Sequence, residues 1–197
     1  MMNVKIVVID KHDEILDVIR EKIDCLVNFD WHSDYPLYSE SEIDVDHYAK
    51  QIDPVWYEEN WVAILASRGY IENYIWVFPH DFAEPTVKIL KSKNGNCDVV
   101  NAIFDKHMKF TYSWISIDMD FFGSRVPVDW SPEDRKQLMM EMLDTLKADD
   151  ITLIISLSNL YTNYDVDKFL VDMIEEIGNR FNITECSLRW KEVYNLI

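Results

Sequence analysis

The chain has 197 residues, of which 48% are hydrophobic and 13% aromatic, enough to fill the core of a single domain. Its 36 acidic residues against 19 basic give a formal charge of −17, which repels phosphate backbones and anionic lipid and so excludes nucleic acid and membranes as expected partners. Cys25, Cys97 and Cys186 are widely spaced with no CxxC pair, so neither a disulfide framework nor a zinc ribbon is indicated.

The N-terminal run "VKIVVI" (4 to 9) predicts a first strand; it turns charged too soon for a signal peptide. Asp13 then caps a helix over "EILDVIREKI" (14 to 23), followed by a strand at "CLVNF" (25 to 29). A helix around "EENWVAILASR" leads through Gly69 into the strand "YIWVF" (74 to 78). Strands follow at 86 to 90 and 97 to 103, joined by a hairpin turn around Asn94-Gly95. Another strand spans 112 to 117. Ser131, Pro132 and Asp134 open a helix over 132 to 148, a strand occupies 151 to 157, and Asp165 caps a helix over 166 to 181. Short apolar strands alternating with amphipathic helices predict an α/β fold, a three-layer α/β/α sandwich with a mostly parallel sheet. With no run of about 18 apolar residues, the expectation is a cytoplasmic protein.

Only four glycines are present, so a Gly-rich phosphate loop has nothing to be built from. Chemistry concentrates at three strand ends: "IDKHDE" (9 to 14), "FDWHSDY" (29 to 35) and "SIDMDFF" (116 to 122). In open α/β sheets the carboxyl ends of strands carry the site. Extended backbone repeats its direction every second residue, so Asp30, His32 and Asp34 would face one way, and Asp118 and Asp120 likewise. Gathering such carboxylates without a cation raises their pKa values and opposes burial, and a divalent metal removes that penalty. Carboxylate and imidazole ligands without thiolate suit Mn²⁺, Fe²⁺ or Zn²⁺, and five or six ligands suit two bridged ions.

D-x-H-x-D at one strand end and S-x-D-x-D at a later one resemble the metal signature of the arginase/deacetylase (ureohydrolase-like) superfamily. Together "DKHDEIL", "FDWHSDY", "NWVAILASRGYIENYIWVFP" and "SIDMDFF" are closest to an uncharacterised arginase-like family, over roughly residues 5 to 125. The resemblance implies that Asp30 and Asp118 bridge two metals, Mn²⁺ foremost, with His12 and Asp34 completing one site and His32 and Asp120 the other. Asp10 stands as the alternative ligand to His12. The implied reaction is hydrolysis of a C–N bond in a small amidine or amide, by a water that two metals share. His80, in "FPHDF", is the candidate proton donor, Arg125 a candidate carboxylate binder, and Trp31, Tyr35, Phe121 and Phe122 a candidate aromatic wall. The expected partner is a small-molecule substrate, with assembly into a homo-oligomer left open.

Two other functions compete. One is a metal-binding or regulatory protein of the same fold without turnover; the other is a metallophosphoesterase, against which stands the absence of GD and GNH motifs. His47 and His107 read as surface residues, the methionines at 139 to 142 as core, and Trp56 and Trp61 as packing residues. "SLSNLYTN" (156 to 163) follows a buried strand and offers Ser158, Asn159 and Tyr161 to a substrate.

Overall fold

Nine strands form one sheet in the computed structural model, which describes residues 1–35, 40–49, 60–79, 86–123, 130–158 and 162–188. The strands are β1 (Asn3–Ile9), β2 (Ile23–Phe29), β3 (Glu42–Asp44), β4 (Ile71–Phe78), β5 (Val87–Ser92), β6 (Gly95–Ile103), β7 (Trp114–Asp118), β8 (Asp150–Ser156) and β9 (Asn182–Leu188). Five α-helices accompany them among the described residues: α1 (Ile15–Val18), α2 (Val45–Ala49), α3 (Trp61–Arg68), α4 (Pro132–Thr145) and α5 (Val166–Arg180). Across the sheet the order is β3-β5-β6-β4-β2-β7-β8-β1-β9. Every neighbouring pair is parallel except β5 with β6, the antiparallel excursion expected from the sequence.

Alternation along each strand divides the apolar residues between two cores. Val4, Ile6 and Val8 of β1 join a core with Met139 and Met142 of α4 and Phe169 and Met173 of α5. Val7 and Ile9 join the other, with Ile15 of α1, Val45 of α2 and Trp61, Val62 and Leu65 of α3. Both faces of the central strands are thereby buried, which is why those strands read as unbroken apolar runs. None of the described helices is long and apolar enough to cross a membrane.

The caps of α4 and α5 form as the sequence predicts. Ser131 Oγ accepts the Asp134 N–H at 3.1 Å while Asp134 accepts the Ser131 N–H, and Asp165 accepts the Lys168 N–H at 3.1 Å. Helix α3 ends at Gly69, whose φ of 71° is the left-handed conformation that glycine adopts without a Cβ clash.

Other expectations are corrected. The helix over 14 to 23 is only a 3₁₀ turn (His12–Glu14) and one turn of α1, and Asp13 makes no capping bond. Ile19 is already extended, and Ile23 pairs with Ile71 in the parallel ladder, so sheet pairing overrides helical periodicity there. The hairpin turns on Lys93 and Asn94, since Ser92 and Gly95 are already paired across the strands. Strands β3 and β9 and helix α2 were not expected: β3 has three residues, and the edge strand β9 carries no continuous apolar run.

Candidate metal centre

Four adjacent strands, β2, β7, β8 and β1, bring their carboxyl ends together, and the polar segments that follow them converge there. The chain leaves β1, skips two positions to form β2, and later inserts β7 and β8 between them. That reversal leaves a crevice at the strand ends.

His12 enters from the turn after β1 and is 1% exposed. Its Nδ1 lies 3.1 Å from Asp30 Oδ2, 3.0 Å from Asp34 Oδ2 and 3.0 Å from Asp118 Oδ2. One ring N–H cannot serve three acceptors, and among the described residues neither His12 Nδ1 nor Asp34 Oδ2 makes a well-aligned hydrogen bond. The other ring nitrogen, Nε2, sits 2.9 Å from the Ser116 hydroxyl of β7. A proton on Nε2 donated to Ser116 leaves the Nδ1 lone pair facing the carboxylates, the arrangement of a metal-ligating imidazole. The Trp61 ring covers His12 at a centroid distance of 4.7 Å.

A second group adjoins the first. His32 Nδ1 lies 2.8 Å from Asp120 Oδ2 and 3.9 Å from Asp30 Oδ1, and Asp120 Oδ2 is buried with no well-aligned hydrogen bond among the described residues. His12, Asp30 and Asp118 form one set whose candidate ligand atoms all lie within 4.8 Å of one another; Asp30, His32 and Asp120 form another. Asp30 belongs to both, and His32, half exposed, opens the second set to solvent.

The backbone aims these groups by turns and not by strand alternation. Beyond Phe29 the chain leaves the strand, His32 N–H donates to Asp30 Oδ1 at 2.7 Å, and Asp34 adopts a φ of 54°. A positive φ is uncommon for aspartate and turns this carboxylate toward His12, whereas His32 faces Asp120. The expected same-facing row of Asp30, His32 and Asp34 is corrected to a fan around Asp30. Asp118 ends β7, and Asp120 occupies the 3₁₀ turn after it, donating its N–H to Asp118 Oδ1 at 3.0 Å.

Electrostatics follow from the crowding. Burial, then the charges of Asp34 and Asp118, raise the Asp30 carboxyl well above the usual carboxylate range, and His12 offsets this only in part. Burial and the charges of Asp118 and Asp30 do the same to Asp120. For His12, burial opposes protonation, but Asp34, Asp118 and Asp30 outweigh it and raise the imidazole well above its ordinary value. For His32, burial is likewise outweighed, mainly by Asp120, and the pKa is pushed up to about 10. Metal-free, the centre therefore retains protons that a divalent cation would displace.

The surrounding residues fix the carboxylates. Asn28 Nδ2 donates to Asp30 Oδ2 at 3.0 Å and to the Tyr74 hydroxyl at 2.9 Å; that hydroxyl donates to Ser33 O at 3.1 Å. Trp31 N–H donates to Asp120 Oδ1 at 3.1 Å. Ser158 Oγ donates to Asp118 Oδ2 at 2.6 Å. The signal for Asn28 was a polar residue inside an otherwise apolar strand, two positions before Asp30. Tyr74 carried no such signal, because a tyrosine in a strand reads as core.

The chain matches no family model and no curated protein sequence.

Of the sequence-predicted ligands, His12, Asp30, His32, Asp34, Asp118 and Asp120 are all brought together. Asp10, the alternative to His12, is exposed and outside both ligand sets. Three members of the aromatic wall are corrected: Phe121 and Phe122 are fully buried in the core, edge-on to each other and Phe121 also to Phe29, and Tyr35 is buried with its hydroxyl on Asn101, whereas Trp31 is partly exposed. Apolar rings there gain more from the core than from a polar crevice. His80, Arg125, Trp56, Asn159 and Tyr161 lie outside the described residues. His47 and His107 are exposed, as expected.

Proposed function

We propose that the protein is a metal-dependent hydrolase, a divergent relative of the arginase/deacetylase superfamily, holding two divalent cations and cleaving a C–N bond of a small amidine or amide in the cytoplasm. The observation that carries the reading is the pair of ligand sets sharing Asp30, in which three buried polar atoms, His12 Nδ1, Asp34 Oδ2 and Asp120 Oδ2, make no well-aligned hydrogen bond among the described residues. Buried polar groups are nearly always satisfied, and a cation between them is the simplest way to satisfy all three. The donor chemistry favours Mn²⁺, with Zn²⁺ or Fe²⁺ as substitutes. Three free cysteines agree with a reducing compartment.

His12, Asp34, Asp30 and Asp118 would hold one ion, and His32, Asp120, Asp30 and Asp118 the other. Two such ions would supply Lewis acidity and the activation of water for hydrolysis. Asn28, Ser158 and the Trp31 N–H hold the ligand carboxylates in position before any ion arrives. A small-molecule substrate would approach from the side of His32, the solvent-exposed ligand.

Metal content measured by mass spectrometry, on protein purified without chelator or nickel, tests this reading. About two equivalents of Mn, Fe or Zn, lost in Asp118→Asn and in Asp30→Asn, support it. An absence of metal even after reconstitution with Mn²⁺ overturns it. Metal without turnover on amidine and amide panels leaves the binding-protein function, and phosphate release from phosphoesters substitutes the phosphoesterase.

A further inference from the structure

Ser158 is one of two non-glycine residues with positive φ among those described, at 44°, and the other is the ligand Asp34. A serine held in the left-handed region is strained relative to glycine, and strain of this kind persists where something else requires that side chain. Ser158 follows β8 and is 4% exposed. Its N–H donates to Asp10 O at 3.2 Å, anchoring it to the segment that leaves β1.

Its hydroxyl donates to Asp118 Oδ2 at 2.6 Å, the oxygen that also lies 3.0 Å from His12 Nδ1. Ser156 Oγ is 3.0 Å from Ser158 Oγ. The Ser158 hydroxyl has one proton and donates it to Asp118, so Ser156 must be the donor to Ser158. The result is a directed chain, from Ser156 through Ser158 to Asp118, inside an otherwise apolar strand end. The other oxygen, Asp118 Oδ1, is held by the Asp120 N–H, so both oxygens of this carboxylate are fixed.

We propose that Ser158 is a positioning residue of the metal centre: its hydroxyl, oriented by Ser156, sets the Asp118 carboxylate for the ion held with His12, and this demand is what keeps a serine in a left-handed conformation. The inference rests on the metal-centre reading and adds to it a requirement for one hydroxyl. A conserved geometry of the ligands alone would not need it.

Glycine separates the two roles, because it relieves the φ strain while deleting the hydroxyl. The test compares full-length wild type with Ser158→Gly, Ser158→Ala and Ser156→Ala. Mn²⁺ affinity is read by competition with a chelator, the coordination environment by Mn²⁺ electron paramagnetic resonance, and metal-free melting temperature by circular dichroism. The expected result is that Ser158→Gly melts at or above the wild-type temperature without metal, yet binds Mn²⁺ about 10–100-fold more weakly with an altered spectrum. Ser158→Ala weakens binding similarly, and Ser156→Ala by less. Wild-type affinity and spectrum in a folded Ser158→Gly protein overturn the proposal while leaving the metal centre intact. Wild-type protein that binds no Mn²⁺ overturns the centre itself, and the two failures are thereby distinct.

Discussion

Asn28 and Tyr74, 46 residues apart in the chain, share a hydrogen bond of 2.9 Å, and the same Asn28 nitrogen also donates to Asp30. The Tyr74 hydroxyl passes the connection on to Ser33 O, so one phenol ties β4 to the carboxylate of Asp30 and to the turn bearing His32 and Asp34. Tyr74→Phe removes this oxygen and nothing else. The expected effect is about a 10–100-fold loss of Mn²⁺ affinity, with the fold retained, as for other groups that orient metal ligands. Isothermal titration of both proteins checks it, and equal affinities would refute the positioning role.

Asp120 carries a raised carboxyl pKa because burial and the Asp118 and Asp30 charges oppose its ionisation. Asp120→Asn removes that charge at nearly constant shape. Metal-free protein should therefore become more stable, with a higher melting temperature. The same variant should lose the stabilisation that Mn²⁺ gives wild type. Thermal melts with and without metal read both effects, and a lower metal-free melting temperature would contradict the argument.

The pH dependence has a definite sign. Asp30, Asp120, His12 and His32 all have folded pKa values raised above their unfolded ones, so the folded chain keeps protons that the unfolded chain releases. Their contribution to metal-free stability is complete below the unfolded values, about 3.9 for aspartate and 6.5 for histidine. It is lost as pH rises through the folded values, for His32 up to about 10. Metal-free stability should thus decline as pH rises from about 4 toward about 10, less steeply in Asp120→Asn. Since a cation competes with those protons, the melting shift caused by Mn²⁺ should be larger at the higher pH. A shift that shrinks with rising pH would exclude these residues as ligands.

Phe121 is fully buried, edge-on to Phe29, Phe104 and Phe122. As a core residue and not a pocket wall, it should cost about 3–5 kcal/mol when replaced by alanine. Metal stoichiometry of the molecules that remain folded should be unchanged. Urea unfolding beside metal analysis separates the two effects.

The sheet was legible because Val and Ile crowd the central strands, and α4 and α5 because Ser131, Pro132 and Asp165 mark their starts. The edge was not: β9 is exposed at most positions and buries none fully, and β3 pairs through only three residues. The ligand residues were legible as types and spacing, but their directions were not. Strand alternation would have placed His32 beside Asp34, whereas the positive φ of Asp34 and the turn from Asp30 to His32 separate them. Tyr74 carries no charge pattern and emerges only from packing, and Ser158, legible as a polar residue beyond a buried strand, was expected at a substrate and instead donates to Asp118.

The insertion of β7 and β8 between β1 and β2 has a consequence for how the molecule is made. A ribosome releases His12 and Asp30 early, but the ladder that joins their strands needs residues up to Ser156. Until then the two have no sheet between them, and the acidic turn after β2, which β7 can already bring beside Asp118, does not meet His12. Pairings so distant in sequence form late, because loop closure precedes their reward. The full set of candidate ligands is therefore assembled only when the sheet closes.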